Sequence, residues 1–185
     1  MGFALAEVCA DAGAEVILVT GPVSLEIKNK DIKLIRVETA AQMYAECLNH
    51  FSSCDAAILS AAVADFSPAE TLRLKVKREK TDWNIVFKPT KDIAAELGSM
   101  KKENQVLVGF ALETDHEINH AREKLKRKNL DFIVLNSLND KGAGFATDTN
   151  KICIIDKNNN IDNFELKSKH DVAIDIVDKL IALFS

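Results

Sequence analysis

Apolar positions along this chain follow two periods that alternate. From Met1 to Ala12 the apolar residues 1, 4, 5 and 8 sit at the spacing of an amphipathic helix, and Gly13 stands where such a helix would stop. Glu15 to Thr20 is a short, nearly continuous apolar run, the mark of a strand covered on both faces. Lys33 to Val37 predicts a second strand, and Thr39-Ala-Ala-Gln42 is a capping box that opens a helix reaching about His50. Asp55 to Val63 predicts a third buried strand that runs into Ala64-Asp65.

The next stretch changes rhythm. Leu72, Leu74 and Val76 alternate with Arg73, Lys75 and Lys77, and Trp83, Ile85 and Phe87 alternate after a turn over Arg78 to Asp82. This predicts an antiparallel hairpin arm over about 70–90, inserted into a βα pattern. Thr90 is placed to cap a helix from Lys91 to about Leu97, followed by a strand over Val106 to Leu112. Thr114-Asp-His-Glu117 is a capping box for a helix to about Lys128, and Asp131 to Asn136 is a further buried strand. Thr149 to Asp156 and Asn163 to Leu166 predict a terminal hairpin, and Ser168-Lys-His-Asp171 caps a last helix through Val172, Ile176 and Leu180. Strands alternating with helices over short connections give an α/β fold: a Rossmann-like, doubly wound, mostly parallel sheet with an inserted arm and a C-terminal hairpin. The expected unit is one domain over 1–185. Such a sheet normally opens with a strand and a Gly-rich turn, and here residue 1 already sits in the first helix, so that strand and turn are expected upstream of Met1.

Composition narrows the class. The chain has 185 residues, 47% apolar and 28% charged, enough to bury a core without disulfide or metal staples. A net charge of −4 argues against nucleic-acid binding by the surface as a whole. No apolar run has the length of a membrane span, and the start has no basic leader. Cys9, Cys47, Cys54 and Cys153 are scattered without ligand spacing, which reads as thiols of a reducing, cytoplasmic compartment.

Four features could carry chemistry. Ser60-Ala61-Ala62-Val63-Ala64-Asp65 ends a strand with small residues and a carboxylate, where open α/β sheets bind ligands; a simple turn aspartate is the plainer reading. Lys75 lies on the basic side of the arm, where five basic residues fall within 71–80; a charged edge strand kept soluble is the alternative. In the helix Arg122 to Lys128, a turn of about 100° per residue puts Lys124 and Lys128 on one flank of the buried stripe and Arg127 toward solvent. Those two lysines could reach an anion or merely lay their stems on apolar surface. Phe110 could stack on a planar ring or pack in the core. Glycine-rich nucleotide fingerprints, a nucleophile elbow and histidine ligand clusters are absent from the sequence, which argues against a covalent nucleophile or a structural zinc.

Taken jointly, the segments resemble the phosphopantothenate–cysteine ligase domain of the bacterial bifunctional coenzyme A biosynthesis flavoproteins. The resemblance rests on Met1-Gly-Phe-Ala-Leu-Ala, Ala14 to Leu25, Ala61 to Asp65, Lys75-Val-Lys77, Lys91-Asp-Ile93, Val108 to Thr114, Lys124 to Lys128, Asp131 to Asn136 and Ser168-Lys169, collinear over nearly the whole chain. It implies activation of 4′-phosphopantothenate by CTP as an acyl-cytidylate with loss of pyrophosphate, then attack by the amine of L-cysteine. It implies Mg²⁺ with the triphosphate, no FMN in this domain, and a fused or separate flavin decarboxylase domain as partner. By position it makes Lys75 the catalytic arm lysine. Ser60, Ala61, Ala62, Asp65, Lys91, Asp92, Ile93, Ala94, Phe110, Lys124 and Lys128 become nucleotide contacts, and the metal ligands stay unassigned. The arm's apolar face implies a homodimer, with no nucleic-acid or membrane partner. Where the family has Asn-Pro-Asp-Ile this chain has Thr90-Lys91-Asp92-Ile93, and the family's Gly-rich turn with its Arg and Asn would precede Met1. Without that turn, nucleotide binding with poor turnover is expected. An NAD(P)-dependent oxidoreductase and a noncatalytic nucleotide-binding or dimerisation module are the rival classes.

Overall fold

The computed structural model describes residues 1–70, 84–113, 117–137 and 149–184. In chain order the elements are α1 (Gly2–Asp11), β1 (Ile17–Thr20), β2 (Lys33–Arg36), α2 (Ala40–Phe51), β3 (Ala56–Leu59) and β4 (Phe66–Pro68). Then come β5 (Phe87–Pro89), α3 (Ile93–Met100), β6 (Val106–Glu113), α4 (Glu117–Arg127) and β7 (Phe132–Ser137). The chain closes with β8 (Thr149–Asn150), β9 (Ile152–Asp156), β10 (Ile161–Asn163), β11 (Lys167–Ser168) and α5 (Lys169–Ile181). Local chemistry explains several ends. Gly13, at φ +91°, turns the chain out of α1, and the capping box of α2 forms in full between Thr39 and Gln42. Ser168 Oγ accepts the Asp171 N–H and opens α5.

The five-stranded sheet runs β10-β9-β7-β6-β3, with β3, β6 and β7 parallel and β9 and β10 antiparallel to their neighbours. β1 and β2 form a parallel pair of their own. Among the described residues no ladder joins β1 to β3, although Val19 and Leu59 pack on the same core. Strand alternation divides that core. Val108, Phe132, Val134 and Ile154 face α1 and α5, while Leu107, Ile133, Leu135 and Ile155 face α2, α3 and α4. Each large side chain fully buried this way stabilises the fold by about 1.5–3 kcal/mol. At the amino-terminal end of the sheet, buried Asp131 accepts from the Leu107 N–H at 2.8 Å and from Lys101 Nζ at 2.8 Å, which ties β6 to β7 below the core.

Three sequence expectations shift. The third strand ends at Leu59, because Ala61 and Ala62 have little to bury and stay exposed, leaving Ser60 to Val63 as a loop. Thr90 does not cap α3. Its N–H and Oγ1 bond Asp65 O at 2.8 Å and Ala64 O at 2.6 Å, and Asp92 takes the cap two residues later through the Ala95 N–H. The terminal hairpin pairs β9 with β10 around Asp156, whose carboxylate gathers the N–H groups of Asn158 and Asn160; the partner strand is thus Ile161–Asn163, ahead of the expected 163–166. The strands predicted at 72–77 and from Trp83, their turn, and the Thr114 capping box lie largely outside the described residues. The foot of the arm is seen, as the antiparallel pair β4–β5.

α3 meets the end of α4 through Gly98. A methyl group there would run into the Lys128 carbonyl, and Asn129 Nδ2 donates to Gly98 O at 2.8 Å. Asn129 itself, at φ +51°, ends α4 in the left-handed conformation. Gly98→Ala is therefore expected to cost about 1–3 kcal/mol, by forcing two backbones apart. A urea midpoint unchanged by that substitution would show that the contact is not tight.

Candidate functional site

The site is assembled at the carboxyl ends of the parallel strands. Beyond β3 the chain enters the loop 60–65, in which Ser60 is half-buried and Ala61, Ala62, Ala64 and Asp65 are exposed. α1 begins against this loop, since a Cβ at Gly2 would stand 3.0 Å from Ser60 Oγ. Small side chains leave the backbone of this loop open to a ligand, and the Asp65 carboxylate is free to face solvent. Thr90 fastens the loop to the start of α3 through its two hydrogen bonds to Ala64 and Asp65.

The residues after Thr90 gather charge. Lys91 is exposed, and its Nζ lies 4.5 Å from the centre of the Tyr44 ring on α2. Asp92 caps α3 and also receives Lys128 Nζ, at 3.1 Å to Oδ1 and 3.0 Å to Oδ2. Ile93 is buried and Ala94 half-buried, which anchors the first turn of α3. Lys124 on α4 and Lys128 just past its end are both half-buried while Arg127 is exposed, as the helical spacing predicts. The structure thus brings together residues 60–65, 90–94 and Lys128. Phe110 stands apart from this group. It points to the opposite face of the sheet and packs half-buried against the α1–α5 core. Lys75 lies outside the described residues.

Sequence reasoning missed two kinds of contributor. Tyr44 carries no motif, and only the approach of α2 to α3 puts its ring under Lys91. Asn136, next to last in β7, lies on the same face as Phe110, and its buried Oδ1 has no hydrogen-bond partner among the described residues. A polar amide closing an apolar strand was the available signal.

Ionisation follows from these contacts. Burial pushes the Asp92 carboxyl up, but the Lys128 hydrogen bond, the Ala95 N–H and the charges of Lys128 and Arg127 outweigh it and hold the group below the usual carboxylate range. Burial raises the thiols of Cys9, Cys47, Cys54 and Cys153 above their ordinary value, which keeps them protonated and poor nucleophiles near neutral pH. Among the described residues no three acidic, histidine or cysteine side chains converge as a metal cage. Arrangement and charge suit an anionic ligand held by cations and backbone amides.

A depressed carboxyl lends stability above its unfolded pKa and loses it as pH falls through the folded one. Asp92→Asn keeps a capping side chain and removes the charge. The variant should unfold at lower urea than the parent at pH 7, and the gap should close in acid, below the ordinary carboxylate pKa of about 4. A gap that persists there would mean that the charge of Asp92 is not what holds Lys128.

Residues 1–183 match the family described as the DNA/pantothenate metabolism flavoprotein C-terminal domain. The chain is 59% identical, over 99% of its length, to a prokaryotic cysteine/cysteine sulfinic acid decarboxylase, of which the match covers 51%. It is 43% identical, again over 99% of its length, to the coenzyme A biosynthesis bifunctional protein CoaBC of Bacillus subtilis strain 168, of which it covers 45%. The chain therefore spans about half the length of these relatives. The crystal structure of a C-terminal domain of CoaBC superposes with a TM-score of 0.82 at 32% identity, over 98% of this chain and 81% of that one. Sequence and fold agree that the chain belongs to the DNA/pantothenate metabolism flavoprotein C-terminal domain family.

Proposed function

We propose that this chain is the ligase part of a coenzyme A biosynthesis enzyme, joining 4′-phosphopantothenate to L-cysteine at the expense of CTP. The observation that carries the reading is the assembly of loop 60–65, residues 90–94 and Lys128 at the carboxyl ends of the strands, in a family member whose described thiols are held protonated. In the first step a carboxylate oxygen of phosphopantothenate attacks the α-phosphorus of CTP, and pyrophosphate leaves. In the second the cysteine amine attacks the acyl carbon, the acyl–oxygen bond breaks, and CMP and one proton are released. Neither step needs a protein nucleophile; both need charge offset and held geometry. Loop 60–62 and Asp65 would take the cytidine, residues 91–94 and Lys128 the phosphates, and Lys75 the charge that develops during transfer. Lys124 and Phe110 are further contacts in this reading, with Phe110 approaching from the α1–α5 side.

Mg²⁺ on a nucleotide is held mainly by phosphates and water with one or two carboxylates, so it needs no dedicated protein cage, and its carboxylate ligands stay unassigned. When bound it would neutralise the departing pyrophosphate. Among the described residues no ladder joins β1 to β3, which supports a further strand between them. At the foot of the arm Phe66 and Phe87, on one face of the β4–β5 ribbon, are 61% and 57% exposed, which supports a homodimer formed through the arm. The decarboxylase activity named for one relative is assigned here to the half of that protein outside the match, where a flavin domain would stand. No helix among the described residues is long and apolar enough to cross a membrane. The oxidoreductase alternative is weakened because Thr20 and Gly21, rather than an acid for a ribose, occupy the carboxyl end of β1.

The test is pyrophosphate release by the full-length protein from CTP, ATP or NADPH in the presence of Mg²⁺ and 4′-phosphopantothenate, with cysteine then added. Release with CTP, followed by product and CMP, is expected; no release from either triphosphate would end the ligase reading. Lys75→Gln should cut product formation by at least about a hundredfold, the scale of one lost charge-stabilising donor, with the fold intact. Near-normal turnover in that variant would return Lys75 to a solvated edge.

A further inference from the structure

Helices α2, α3 and α4 lie side by side on one face of the sheet, with the start of α3 between the other two. Two cations reach that start from opposite sides. Lys128 comes from the turn that ends α4 and is held by both oxygens of Asp92. Lys91 belongs to the lead-in of α3, and its ammonium sits over the Tyr44 ring of α2 at 4.5 Å from the centroid. Both lie at the positive end of the α3 dipole, where Asp92 answers the charge of Lys128 and a further anion would be favoured beside Lys91. Lys91 also directly follows Thr90, whose hydrogen bonds fix the backbone to Ala64 and Asp65. The ammonium is therefore tethered at its base by the loop of the site and at its tip by an aromatic face.

We propose that Tyr44 is a positioning residue for Lys91, and that Lys91 so held supplies a side-chain cation to the β- and γ-phosphates of the nucleotide. The proposal rests on the ligase reading and deepens it, since that reading gives residues 91–94 to the phosphates without assigning a task to the Lys91 side chain. An aromatic face suits the task. It attracts the ammonium through the ring quadrupole without neutralising it, whereas a carboxylate at the same place would cancel the charge a phosphate needs. Holding the flexible stem in advance also removes rotamer freedom that binding would otherwise have to restrict. Lys91 and Lys128 then form a pair of unlike cations, one held by a ring and still fully charged outward, the other engaged by a carboxylate.

The experiment is calorimetric binding of CTP and of CMP to the full-length protein with Mg²⁺, with ATP in parallel. Lys91→Met should weaken CTP about three- to tenfold, in keeping with loss of one favourable charge contact, and CMP less than about twofold. Tyr44→Leu should reproduce that pattern, Tyr44→Phe should keep the parent affinity, and Lys91→Arg should restore most of it. The double variant should bind no worse than either single one, as coupled residues require. Lys91 is exposed, so its variants carry the test even if Tyr44→Leu fails to fold. Unchanged CTP affinity in Lys91→Met, or an equal loss for CTP and CMP, overturns the proposal while leaving pyrophosphate release to judge the ligase reading. A loss confined to Lys91→Met, with a folded Tyr44→Leu unaffected, removes the role of Tyr44. If the parent protein binds neither triphosphate, the ligase reading and this proposal fall together.

Discussion

The contact on which the site depends is the backbone-to-backbone approach of α3 and the end of α4 at Gly98. Without a side chain at Gly98 the Lys128 carbonyl can rest against α3, and Asn129 closes the contact by donating to Gly98 O. That approach carries Lys128 to within hydrogen-bond reach of Asp92, more than a helical turn earlier on α3. Asp92 in turn caps the helix, so one carboxylate both starts α3 and fixes the lysine just after α4. Packing, capping and electrostatics converge on a few atoms.

The sheet supplies the platform for this arrangement. Parallel β3, β6 and β7 point the same way, β6 and β7 running four residues past the last β3 pair, so the loops that leave them lie at one end of the sheet. Below, Asp131 locks β6 to β7 through the Leu107 N–H and Lys101, fixing the register from which those ends are measured. Above, Thr90 joins the return from the arm to the loop after β3. Rigid support beneath and short stitches at the rim allow the loop 60–65 to stay open and still keep its place.

Chemistry at such a rim is chiefly a matter of charge. The described cysteines are buried enough to stay protonated, and no metal cage forms among the described residues. What the rim offers is exposed backbone, the carboxylates of Asp65 and Asp92, and lysines held in different ways. These suit a polyanionic ligand whose reaction moves charge between oxygens and asks the protein to hold it still.

Much of this was legible in the chain. Periodicity was enough for α1, α2, α4, α5 and the parallel strands, because burial of one stripe or of both strand faces leaves its period in the sequence. The same logic put Lys124 and Lys128 on a flank and Arg127 in water. Other features were not legible, for a common reason. Thr90 and Asp92 are both good caps, and only the hydrogen bonds of Thr90 to Ala64 and Asp65, residues far away in sequence, decide between them. Tyr44 beneath Lys91, Asp92 against Lys128, and Phe110 on the far face likewise depend on how helices lie on a sheet. The sequence by itself determined the elements and their exposed faces, since those follow from neighbours a few residues apart. Only the tertiary structure decided which charges meet, because ion pairs and ring contacts between elements depend on distances that no local period records.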